Sequence, residues 1–132
     1  MFVSELSAPQ RRALLVLARQ VIDADRRLTL GEVERLDRLY AEAGLPPEGA
    51  GAPSAAGDLN LLFPDARTRA VVVLELLLVG YADGTLAAAE ARAIGRIAAQ
   101  LGLSADEHDR LVSWAARHAA LMTEAREFGR RD

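Results

Sequence analysis

Shifted by 58 residues, the chain aligns with itself without a gap over a helix, a turn and a second helix. Val21, Ala24, Asp25, Leu28, Glu32, Arg38, Ala41, Gly44 and Leu45 meet identical residues at Val79, Ala82, Asp83, Leu86, Glu90, Arg96, Ala99, Gly102 and Leu103. Conservative pairs, Leu36 with Ile94 and Leu39 with Ile97, occupy the apolar face. Two copies are too few for a solenoid, whose repeats need several neighbours to bury a continuous core. Two helical hairpins packed face to face about a pseudo-twofold axis are the expected outcome. That arrangement brings the two elbows, and with them Asp25, Glu32, Asp83 and Glu90, into one acidic region.

The helices follow from apolar spacing and from their end signals. Ser7 with Pro9 marks a start, because proline is tolerated in the first turn where no amide bond is lost. Leu14, Leu15, Leu17, Ala18, Val21 and Ile22 then form one wide face, and this helix should run to about Asp23. Thr29 to Glu32 is a capping box opening the second helix, which carries Val33, Leu36, Leu39, Tyr40 and Ala43 inward and ends at Gly44. Asp65 is the expected N-cap of a long helix from Ala66 to Ala82. From Val71 to Val79 that helix is apolar nearly all round, so it belongs at the centre of the bundle. Its one charge, Glu75, must either reach a surface edge or be held by a buried arginine. After the second elbow an amphipathic helix ends at Gly102, and Ser104 to Glu107 is a further capping box. The last helix should turn Leu111, Val112, Ala115, Ala119 and Met122 inward, with Trp114 on the flank and a frayed, charged end from Thr123.

The fold class is therefore all-α: a single-domain bundle of about six helices. Its parts are hairpin one (7–45), a proline- and glycine-rich linker (46–57), hairpin two (58–103, opening on a short helical turn at Asp58–Phe63), and C-terminal helices (104–132). At 132 residues the chain can bury enough surface to fold without staples. It has no cysteine, which removes disulfides, thiolate ligands and a cysteine nucleophile. A net charge of −3, with arginines scattered as a solvated surface, argues against a nucleic-acid binder. The apolar run at 71–79 is far short of the about 20 residues that a membrane span needs, so no membrane insertion is expected. Met1 to Glu5 has neither a basic start nor an apolar core, so no secretory signal is expected and the location is read as cytoplasmic.

The stretch Asp83-Gly84-Thr85-Leu86-x-x-x-Glu90, followed by an amphipathic helix ending Leu101-Gly102-Leu103, resembles the TerB-like family. That family includes tellurite-resistance proteins and a domain attached to some J-domain co-chaperones. The resemblance covers both hairpins. It implies an all-helical bundle with an acidic metal-binding site, and a bacterial stress-response role exercised through membrane-associated protein partners rather than catalysis. By matched position the metal residues are Asp83 and Glu90. Asp25 and Glu32 are their counterparts in the first copy, where Arg26 replaces the glycine found at Gly84. Carboxylate, carbonyl and water ligands favour a hard cation such as calcium, magnesium or manganese.

The plainer reading of these acids is structural. Glu32 completes a capping box with Thr29, and Asp-Gly is an ordinary turn pair. Glu90 has Ala87 at the cap position, which offers no oxygen. Asp25 and Asp83 lie at helix C-termini, where the backbone already presents partial negative charge, so each should require compensation. An EF-hand fails, because Leu28 stands where its loop requires glycine. His108 and His118 are about 15 Å apart along one helix and cannot share an ion. No catalytic motif or phosphate loop is present, so no enzyme is expected. The alternative function is an ion-independent adaptor or homodimer, co-chaperone-like, binding through apolar surface near Trp114.

Overall fold

A computed structural model of the protein describes residues 1–24, 29–44 and 59–130. Among these the chain forms α1 (Ala8–Asp23), α2 (Leu30–Ala43), α3 (Leu59–Leu62), α4 (Ala66–Gly80), α5 (Ala88–Gln100) and α6 (Ala105–Glu127), with no strand. A 3-10 turn at Val3–Glu5, which the apolar spacing gave no reason to expect, precedes them. The first elbow, including Asp25, and the linker 46–57 lie outside the described residues.

Local chemistry sets the helix ends. Ser7, Thr29 and Ser104 each form a capping box, with Gln10, Glu32 and Glu107 respectively. Asp65 accepts from the Thr68 amide at 2.7 Å and opens α4. Gly44 and Gly102 leave their helices at φ of 71° and 79°, a conformation that costs a residue with a β-carbon. The long helix ends at Gly80, two residues before the expected Ala82, with Tyr81 as its cap.

Every residue of α4 from Val71 to Gly80 is buried. It packs against α1, α5 and α6 and, less extensively, α2, which makes it the axis of the bundle. The contacts come in matched pairs: α1 lies on α2 as α4 lies on α5, and α1 meets α5 as α4 meets α2. Leu14, Leu15, Leu39, Leu76, Leu77, Ile94 and Leu101 are fully enclosed in the shared core. In the short turn before α4, Leu59 and Phe63 point into it, while Leu61 is exposed.

Glu75 resolves in favour of a buried partner. It is wholly inaccessible, and Arg35 Nη2 donates to its Oε2 at 3.1 Å. A second source of charge was not anticipated: the Met1 ammonium and the Phe2 amide both donate to Oε1, at 2.8 and 2.6 Å. Glu42 completes the group, accepting from the Met1 ammonium at 2.7 Å. Alternating charges thus surround a carboxylate that would otherwise be too costly to bury.

The last helix departs from expectation. Ala115 and Ala119 are buried and Leu111 and Val112 half-buried, but Met122 is 43% exposed. Past Ala119 no described residue buries the helix, and it continues to Glu127 with exposed side chains.

Candidate functional site at the second elbow

The second elbow, Tyr81 to Ala87, joins α4 to α5 and turns through Gly84 at φ 94°. Asp83, at its tip, is exposed. Its neighbour is not its own hairpin but the first turn of α2. A β-carbon added at Gly31 would overlap Asp83 Oδ1 and come within 3.2 Å of the Ala82 carbonyl oxygen. This close approach explains a glycine in the first turn of a helix, where alanine would otherwise be the better residue. It also accounts for an acid at the C-terminal end of α4. The carboxylate sits beside the positive end of α2, which offsets the partial negative charge of the helix it follows. The start of one hairpin's second helix therefore touches the elbow of the other.

Glu32 lies one residue beyond Gly31 and is 2% exposed. Its Oε1 accepts from the Thr29 amide at 3.2 Å and the Thr29 hydroxyl at 3.1 Å, which is the expected capping box. Its Oε2 is buried with no hydrogen-bond partner among the described residues. Glu90, at the equivalent place in α5, is equally buried, and Ala87 provides no side-chain cap. Asp25 lies outside the described residues. Among the described residues no three acids or histidines converge closely enough to hold a metal ion.

Both histidines are half-buried. His118 stacks on Trp114 with ring centres 5.2 Å apart, and Trp114 in turn meets Phe2 at 6.0 Å. Phe2 and Trp114 border a groove of about 670 Å³ whose lining includes Leu74, Leu103, Leu111 and Arg110. Arg67, whose guanidinium lies 5.4 Å over the Phe2 ring, pairs with Glu5 through two bonds of 2.8 Å. That pairing holds the Glu5 carboxyl below its usual range.

Residues 50–113 match the family model described as tellurite resistance protein TerB. Over that stretch the chain is TerB-like. The matched stretch contains α3, α4, the second elbow with Asp83, and α5 with Glu90, and ends within α6. The first hairpin, with Asp25, Glu32 and Gly31, lies outside it. No curated protein and no solved structure matches the chain. Among the described residues, no helix is long and apolar enough to cross a membrane. Sequence reasoning singled out Asp83 but missed Gly31. The available signal was a glycine lodged inside a capping box.

Proposed function

We propose that this chain is a non-catalytic module of a tellurite-resistance type of stress response. It binds a divalent hard cation weakly at the elbows and acts through membrane-associated protein partners. The observation that carries the cation reading is the seat of Asp83 against the start of α2 at Gly31, one residue from the buried Glu32. Glu32 Oε2, buried and without a hydrogen bond among the described residues, supplies an oxygen that a cation or water would satisfy. Since no three acids or histidines converge among the described residues, a cation here would be held weakly; tight calcium sites take about six to eight oxygens. Asp25 and Glu90 are the further acids such a site would draw on.

The test is the melting temperature in millimolar calcium, magnesium or manganese. An ion at ten times its Kd contributes about 1.4 kcal/mol, or roughly 4 °C for a chain of this size. That rise should be absent in Asp83→Asn. An ion-indifferent wild type, or an equal rise in the variant, would sink the cation reading.

A second reading, an ion-independent adaptor or homodimer, is favoured by the Trp114 groove. Its volume falls within the range of ligand sites, about 300–1,000 Å³. Concentration-dependent association lost in Trp114→Ala would support it, and a wild type that stays monomeric and captures no partner would count against it.

A further inference from the structure

Between α2 and α6, floored by the end of α4, lies a second cleft of about 120 Å³. Its lining includes Arg35 and Arg38 from α2, Tyr81 after α4, and His118 and Arg126 from α6, with Glu34 as the acid among them. Arg35 commits its two Nη atoms to Glu75 and Glu42, but its Nε is buried with no hydrogen-bond partner among the described residues. Arg38 and Arg126 enter no ion pair among the described residues. The positive end of α2 at Gly31 and the negative end of α4 at Ala82 both border the cleft and offset each other. What remains is two uncommitted guanidiniums and an imidazole, with one glutamate among them.

Like charges gathered at a cleft repel, and an anion between them relieves the repulsion while giving each guanidinium an acceptor. A dry cavity of about 150 Å³ holds benzene, so this one admits an ion of a few heavy atoms and not a nucleotide. We propose that the cleft binds a small dianionic oxyanion of the phosphate type, held by Arg38 and Arg126 with the His118 imidazole on its wall. The Trp114 groove does not compete for this role. There Arg67 is spent on Glu5, and Arg110 and Arg117 share the rim with Glu107 and Asp109. The cleft adjoins the proposed cation seat, since Gly31 and Ala82 border both, and EDTA in the buffer keeps the two readings apart.

The experiment is a titration of the full chain with inorganic phosphate, followed by amide chemical shifts at constant ionic strength. Saturable movement of Arg38, Tyr81, Thr123 and Arg126 is expected. Arg38→Gln and Arg126→Gln, both at exposed positions, should each weaken binding about tenfold, while Arg110→Gln should leave it unchanged. Shifts that grow linearly without saturating would overturn the proposal, as would undiminished affinity in either variant. Glycerol phosphate run in parallel separates a free ion from an ester headgroup. The small volume requires that it bind no more tightly than phosphate, and tighter binding would overturn the assignment to a free ion.

Discussion

Replacing Glu75 by leucine tests how the bundle tolerates a charge at its axis. Glu75 is inaccessible and accepts three hydrogen bonds, from the Met1 ammonium, the Phe2 amide and Arg35. Removing one member of a buried ion pair costs about 3–5 kcal/mol, because the partner is left charged and dry. Here the partners have some recourse. The Met1 ammonium keeps Glu42, and the Met1 side chain is 41% exposed, so the terminus can return to water. Arg35 keeps Glu42 only at 3.9 Å and its side chain is 13% exposed, so its loss is the larger. Glu75→Leu should therefore cost about 2–3 kcal/mol, below the full penalty. For 132 residues this lowers the melting temperature by roughly 6–15 °C. Arg35→Met should cost about 1–3 kcal/mol, because Glu75 retains the two donors at the N-terminus. Together the two changes replace ions with apolar groups of similar size, and the double variant should be at least about 1 kcal/mol more stable than the sum of the singles implies. Urea unfolding with unchanged m-values measures all four corners of this cycle. A Glu75→Leu protein as stable as wild type would refute the reasoning, as would strict additivity.

Two further outcomes follow from local geometry. Gly31→Ala gains helix propensity of about 1 kcal/mol but must displace Asp83 and crowd the Ala82 carbonyl, so it should be no more stable than wild type. The same change in an Asp83→Ala background should be less costly, and urea unfolding showing no such coupling would remove the contact between the elbows from consideration. Asp65 and Glu107 have carboxyls held below their usual range, first by the hydrogen bond from the Thr68 amide and from the Ser104 amide respectively. A depressed carboxylate adds stability that is complete above its unfolded pKa and lost as pH falls through the folded value. Stability should therefore be level near neutrality and decline below about pH 4, less steeply in Asp65→Asn, as followed by thermal melts across an acid series.

The repeat made the helix order legible, because each copy carries its own periodic face and its own end signals. Thr29 with Glu32, Ser104 with Glu107, and Asp65 with Thr68 are bonds between residues three apart, so their chemistry is written locally. Met122 shows where that logic stops. Its spacing continues the inward face of α6, but whether a face is buried depends on whether another element reaches that far, and among the described residues none covers it.

The amino-acid sequence by itself therefore determined the all-helical class, the helix boundaries to within about two residues, the central place of α4, and the TerB-like motif at Asp83 and Glu90. These rest on short-range bonding and on the bulk preference of apolar residues for the interior. Only the tertiary structure decided which charges meet. Arg35 finds Glu75 across forty residues of chain, Gly31 yields space to Asp83 of the other hairpin, and Arg38 comes to face Arg126 across one cleft. Arginines that read along the chain as a scattered, solvated surface thus divide into one that neutralises the core and others that gather at an opening. The physical reason is that electrostatic interactions depend on distance in space and on burial, and neither can be read from spacing along a helix.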